Sequence, residues 1–474
     1  MLFNSFEFVL FFLVVVGPFF ALPPRWRKPW LLGWSAVFYM AWIPLAILLI
    51  LFSTTVDYFV ARKLDQGGTA ARRKRWLALS LVTNFGALFV FKYYDFFVGS
   101  WASVARVAGV GFEPPLLHVV LPVGISFYTF EAISYTVDVY RGKYPAERSY
   151  PRLLLFILYF PKLIAGPIER AGHLIPQLEA TARFDYLRVR DGLVQILWGF
   201  FKKLVVADRL ALFVDGVYDH PTHHVGSTAL LATFFFAFQI YCDFSAYSDI
   251  AIGTARVMGI DLLRNFRRPY FASGFRDFWS RWHITLSTWF RDYLYVPLGG
   301  NRHGFWRMNR NVLLVFLVSG VWHGASWTFV LWGMAHGCLL VGENLWGRFA
   351  SPRAPARLAP PRWLRQAATF AAVMLAWVLF RANSVGDAAH VYGQIFTNFD
   401  LGGLDLGADV RHTAYALFGV AVVWGVERLS EWGIYPRLFT PRLKPVRWLA
   451  YATVVMLIVL IGVFDGGQFI YFQF

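Results

Sequence analysis

Two histidines in this sequence stand in settings where an imidazole can work on a proton. His283 follows Trp282, and His323 sits in the run Val321-Trp322-His323-Gly324-Ala325-Ser326-Trp327, so each interrupts apolar sequence with a short polar break flanked by tryptophan. A neutral imidazole can take a hydroxyl proton near pH 7 and give it back, the property required of a general base acting on an alcohol. No second His or Cys stands at ligand spacing from either residue, so no metal is expected at them. The other histidines ask for less. His118, His173, His220, His223, His224, His303, His390 and His412 fall in loops or at segment ends, and His336, on an apolar helical stretch, reads as a satisfied interior histidine.

Carboxylates and phenols form two further constellations. Tyr128, Glu131, Tyr135 and Asp138 recur at intervals of three, four and three, which makes one polar stripe on a helix. Asp243, Ser245, Tyr247 and Asp249 form a second polar stretch. Ionisable groups within apolar segments are rare and face interiors or cavities. Each stretch reads either as the lining of a substrate path or as hydrogen-bonded contact between helices.

What positions these residues follows from composition and charge. The 474 residues are 57% hydrophobic and 15% charged, against roughly 45–50% and about 25% in soluble domains. Such a chain is solvated by lipid, and a disordered, collagenous or disulfide-scaffold protein is excluded. In a soluble protein the net charge of +17 would suggest nucleic acid. Here the 45 Lys and Arg cluster in short loops between apolar runs, as in the cytoplasmic loops of a polytopic membrane protein, so no nucleic-acid partner is expected. Cys242 and Cys338 cannot build a disulfide framework.

Charge also orients the segments. Residues 1–21 are apolar without a basic start or a small-residue cleavage pattern, so they are expected to remain as a first segment, with Arg25, Arg27 and Lys28 inside. Residues 30–60 would extend about 46 Å as one helix, too long for a hydrocarbon core of roughly 30 Å. Basic residues flank both ends, so a hairpin or broken pair interrupted near Pro44 is expected. Residues 311–342 repeat the arithmetic, with Arg302, Arg307 and Arg310 before them and Arg348, Arg353 and Arg357 after. His323 lies at the break in that run. Irregular polar backbone at membrane depth is tolerated only where protein buries it or where it lines a water-filled cavity.

Further crossings are expected at residues 76–98, 116–140, 193–214, 227–257, 363–380, 414–426 and 448–463, with residues 153–168 re-entrant around Pro161 and Pro167. The expected fold is an all-α polytopic membrane protein of about ten to twelve crossings, forming one domain over residues 1–474. Residues 256–310 carry ten Arg against Asp261, Asp277 and Asp292 and are placed on the cytoplasmic side. Within them Trp282, Leu286, Trp289, Phe290 and Tyr293 share one helix face and His283, Ser287 and Arg291 another, the pattern of an amphipathic interfacial helix. Residues 465–474 fall outside the cytoplasm by the same counting.

At this point the sequence resembles a known family. The stretch Arg281-Trp-His-Ile-Thr-Leu-Ser-Thr-Trp-Phe-Arg-Asp-Tyr-Leu-Tyr-Val-Pro-Leu-Gly-Gly-Asn301, followed by Trp322-His-Gly-Ala-Ser-Trp327, is similar to the membrane-bound O-acyltransferases. More closely it resembles their bacterial envelope-polymer branch, which serves alginate O-acetylation and teichoic acid D-alanylation. Pro122-Val-Gly-Ile-Ser-Phe-Tyr-Thr-Phe130, Gly166-Pro-Ile-Glu-Arg170, Tyr241-Cys-Asp-Phe-Ser-Ala-Tyr-Ser-Asp249 and Trp377-Val-Leu-Phe-Arg-Ala382 fit the same branch. The resemblance implies helices around a central funnel, with His323 as the active-site histidine and His283 as a second, cytoplasm-proximal one. Glu131, Tyr128, Asp243, Asp249, Trp322 and Asn301 stand as candidates for the substrate path.

The resemblance further implies an acyl donor at the cytoplasmic face, either acetyl-coenzyme A or an acylated carrier protein, with no bound cofactor. An extracytoplasmic acetyltransferase partner would modify the polysaccharide. The aromatic tail Phe469-Ile-Tyr-Phe-Gln-Phe474 reads from its residues alone as an interfacial anchor. In related envelope systems a tail of this form resembles an acyl relay, a role that falls on Tyr471. The expected function is transfer of an acyl group, with acetyl the leading cargo, across the bacterial cytoplasmic membrane to an alginate-like polysaccharide. Two alternatives stay open: D-alanyl cargo, or a transporter of polymer or lipid-linked sugar without covalent chemistry. Against the transporter stands the absence of half-to-half repetition in the sequence.

Overall fold

Several helices here begin where a hydroxyl caps them. Ser5 accepts from the Phe8 N–H ahead of Phe6–Val16, Thr69 from the Arg72 N–H ahead of Ala70–Leu88, and Ser326 from the Thr328 N–H ahead of Trp327–Leu345. The computed structural model describes residues 1, 3–350, 360–407, 410–434, 444–464 and 469–470. Every regular element among the described residues is helical. Five helices there are long and apolar enough to cross a membrane: Pro44–Asp65, Ala70–Val107, Gly226–Val257, Arg362–Arg381 and Lys444–Ile461. Among the described residues the chain is thus all-α, with several candidate membrane spans. Helix Lys444–Ile461 buries none of its residues, and Val455, Met456, Val459 and Leu460 stand exposed on it. Apolar surface of that kind requires lipid or another apolar partner to cover it.

Several expected segments change their limits for local reasons. The run at residues 30–60 is broken, into Pro24–Met40 and Ile47–Asp65 joined through the short turn Pro44–Ala46. The run at residues 311–342 is a hairpin of Phe305–His323 and Trp327–Leu345. By contrast, residues 116–124 are not helical, and the helix expected there begins only at Ile125. Pro122 and a left-handed Gly124 at φ 78° stop it from starting earlier. A Cβ on Gly124 would also lie 2.8 Å from the Leu163 carbonyl oxygen, so close approach and backbone angle both require glycine.

The chain packs as two units: residues 1–193 with 251–263, and residues 194–250 with 264–474. In the first, Asp57 accepts from Ser80 Oγ at 2.5 Å and Asn84 Nδ2 at 2.9 Å, which ties Ile47–Asp65 to Ala70–Leu88. In the second, the hairpin that carries His323 is pressed backbone to backbone. A Cβ on Gly320 would stand 2.4 Å from Phe329 O, and one on Gly333 2.3 Å from Phe316 O. That contact fixes the helix whose last residue is His323.

Candidate active site

His323 ends helix Phe305–His323 and is buried. Its Nδ1 lies 2.7 Å from the carbonyl oxygen of Ser319. A carbonyl has no proton to give, so Nδ1 carries the hydrogen and donates it. In the neutral ring the lone pair is then on Nε2, the basic atom. Around the imidazole stand Trp332 at 4.7 Å, Trp322 at 4.9 Å and Phe380 at 5.6 Å between ring centroids. Trp332 in turn stacks on Trp377 at 5.6 Å. The tautomer is fixed by the helix and the ring plane by aromatic walls.

His283 is placed differently. It precedes helix Ile284–Phe290 with φ 40° and ψ 56°, a left-handed conformation that costs a residue with a Cβ of order 1–3 kcal/mol. Such strain persists only where the surroundings over-determine it. They do: Ile284 N–H donates to Asn265 O at 2.8 Å, and Arg267 N–H to Arg281 O at 2.9 Å. Thr285 Oγ1 donates to Asn265 Oδ1 at 2.6 Å, and Asn265 Nδ2 to Ser248 Oγ at 3.1 Å. The ring meets Phe244 edge-on at 4.6 Å and shares Trp322, at 6.3 Å, with His323. Burial, and next the nearby His323, hold the His283 imidazole well below the usual histidine range, so it is neutral at pH 7.

His283 therefore does not share a polar helix face with Ser287 and Arg291. It lies outside the helix, so the helical wheel does not apply to it, and it is buried while Arg291 is exposed. Leu286, Trp289 and Phe290 do turn inward together. His336, expected to be a satisfied histidine, is wholly buried against Trp332 and Trp279, each at 5.0 Å. Among the described residues neither of its nitrogens has a hydrogen-bond partner. Asn265, which holds the turn at His283 from both sides, was not singled out by the sequence. A lone Asn in a loop carries no signal of its partners.

The second unit thus brings together His283, His323 and Trp322. Asp243 and Asp249 lie in the same unit on helix Gly226–Val257, each taken by a lysine: Lys203 Nζ stands 2.7 Å from Asp243, and Lys202 Nζ 2.7 Å from Asp249. Asn301 is exposed in a turn. Glu131 and Tyr128 belong to the first unit and are buried there. Glu131 has both oxygens committed, Oε2 to Lys162 and Oε1 to the Glu169 N–H at 3.0 Å. Tyr471, with most of the tail at residues 465–474, lies outside the described residues.

The structure thus sets a buried imidazole of fixed tautomer at the break in an apolar hairpin. The sequence profile of the membrane-bound O-acyltransferase family matches residues 45–385, and the chain belongs to that family. It is 39% identical over 401 residues to the probable alginate O-acetylase AlgI of Pseudomonas putida, covering 84% of this chain and 80% of that one. To the peptidoglycan O-acetyltransferase of Helicobacter pylori it is 36% identical over 423 residues, covering 82% and 79%. To the teichoic acid D-alanyltransferase of Bacillus subtilis it is 29% identical over 241 residues, covering 48% and 60%.

Proposed function

We propose that this O-acyltransferase moves an acetyl group from a cytoplasmic thioester across the bacterial cytoplasmic membrane, for attachment to an alginate-like envelope polysaccharide. The observation that carries the reading is the His323 Nδ1 contact with Ser319 O, which leaves Nε2 as the base. Nε2 takes the proton of an acceptor hydroxyl as its oxygen attacks the thioester carbonyl. An ester bond forms, the C–S bond breaks, and the imidazolium returns the proton to the departing thiolate. His283, neutral through burial, donates an N–H to the thioester carbonyl and polarises it. The first acceptor is the hydroxyl of Tyr471, and an extracytoplasmic partner carries the group on to the polymer.

Acetyl-coenzyme A or an acylated carrier protein serves as donor. Exposed Arg264, Arg267, Arg302 and Arg307 supply positive charge for either anionic donor, whereas Arg268 and Arg281 are taken by Glu431 at 3.0 and 3.5 Å. Identity of 39% to an alginate relative and 36% to a peptidoglycan relative supports acetyl cargo and a polysaccharide acceptor. The test incubates purified protein in vesicles with labelled acetyl thioester and reads the mass of the peptide holding Tyr471. An acetyl mass is the expected result. An alanyl mass, obtained only with an alanylated carrier, would change the cargo. Movement of a sugar substrate with no donor consumed would replace the enzyme reading by transport.

A further inference from the structure

Residues 461, 463, 469 and 470 each meet other residues of the second unit. Val463 N–H donates to Leu204 O at 2.9 Å, and Arg209 Nε to Ile461 O at 3.0 Å. Further on, Ile470 N–H donates to Asp243 Oδ2 at 2.7 Å. The Phe469 ring lies 4.8 Å from Tyr247 and 5.8 Å from Phe244, and Phe469 and Ile470 are only 2% and 3% exposed. The other Asp243 oxygen is 2.7 Å from Lys203 Nζ, which also stands 2.8 Å from Asp208. All three side chains are buried. Phe244, against which Phe469 rests, presents its ring to His283 at 4.6 Å. One aromatic ring therefore separates Phe469 from His283.

Two features distinguish this from an ordinary buried ion pair. One lysine needs one carboxylate to be neutralised, yet Lys203 has two, and the second directs its remaining oxygen to a backbone N–H of the tail. Lys203 also lies in the π-helical segment Phe201–Ala207, whose Leu204 carbonyl takes the bond from Val463. Insertions of this kind inside α-helices recur at functional sites. A bond to a backbone N–H fixes the path of the chain without engaging the side chain that would carry an acyl group.

We propose that Asp243, held by Lys203 and Asp208, is a positioning residue that clamps the aromatic tail at Ile470 so that the next residue, Tyr471, delivers its hydroxyl to the histidine site. This rests on the relay reading given above. The experiment uses the full chain in lipid nanodiscs with acetyl-coenzyme A. It measures hydrogen exchange and acyl mass of the tail peptide, and donor affinity alongside. Ile470→Pro removes the N–H without touching the ion cluster, and Asp243→Asn keeps an acceptor oxygen where Asp243→Ala has none. Ile470→Pro and Asp243→Ala speed tail exchange and lower tail acylation about tenfold or more, the scale of one lost hydrogen bond to a charged group. Donor affinity stays within about twofold, Asp243→Asn retains most of the acylation, and the double variant is no worse than either single. Wild-type exchange and acylation in Ile470→Pro would overturn the clamp. A wild-type tail that never acquires an acyl group, while its exchange still responds to Asp243→Ala, would overturn the relay and reduce the clamp to a fold contact.

Discussion

In the first unit, Glu131, Glu169, Asp57 and Glu147 are buried, and each meets donors that satisfy it: Lys162 for Glu131, His173 for Glu169, Ser80 and Asn84 for Asp57, Arg152 for Glu147. In the second, the imidazoles of His283 and His323 are as deeply buried but walled by Phe244, Trp322, Trp332 and Phe380. A carbonyl bonded to Nδ1 sets the tautomer of His323. Saturated polar groups hold helices together, and their chemistry is used up in doing so. A ring oriented by its neighbours, with its basic atom turned away from the orienting bond, is what the proposed proton transfer needs. The same contrast separates Asp243 and Asp249, each held by a lysine, from the histidines of their own unit.

The largest effect on stability is expected where saturation is broken. Glu131→Ala leaves Lys162 charged and buried, a change that costs about 3–5 kcal/mol, and thermal unfolding in detergent should show it. Glu131→Leu combined with Lys162→Met should recover most of that loss and keep transfer. If a folded Glu131→Gln protein loses transfer selectively, Glu131 belongs with the histidines and the contrast fails. His283 gives an intermediate effect of the opposite kind. His283→Gly should slow transfer by about 10²-fold, the lower end for a proton-handling group. It should also unfold at a higher temperature than His283→Ala, because glycine accepts the left-handed backbone by about 1 kcal/mol.

Two histidines should respond to pH with opposite sign. The His283 value is lowered by folding, so its contribution is complete above the ordinary value of about 6.5 and is lost as pH falls below it. Replacing His283 should flatten the acid side of the stability profile. In the first unit, the hydrogen bond that His173 donates to Glu169 raises the His173 value, against opposing burial. Its contribution is complete below about 6.5 and is lost as pH rises through the raised value. His173→Gln should therefore lower the melting temperature slightly at pH 6 and not at pH 9. Equal shifts at both pH values would deny the charged pair.

The histidines were legible because a tryptophan-flanked polar break in an apolar run is unusual, and the break at residues 324–326 falls where charge at both ends of the run required one. The broken run around Pro44 was legible for the same reason. Partners distant in sequence were not. Nothing near Glu131 points to Lys162, and nothing near Asp243 points to Lys203 or Ile470, because packing of separate helices creates those pairs. The helix expected over residues 116–140 is shorter because Pro122 and the left-handed Gly124 stop an apolar stretch from being helical. The left-handed turn at His283 was hidden by a helical pattern that begins one residue later.

The most direct test is the rate of acetyl transfer from labelled thioester to the tail peptide by His323→Ala, measured beside its thermal unfolding. A fall of about 10²–10⁴-fold, the range for loss of a general base, is expected in a protein that still unfolds cooperatively near the wild-type temperature. Transfer at the wild-type rate by a folded His323→Ala protein would contradict it.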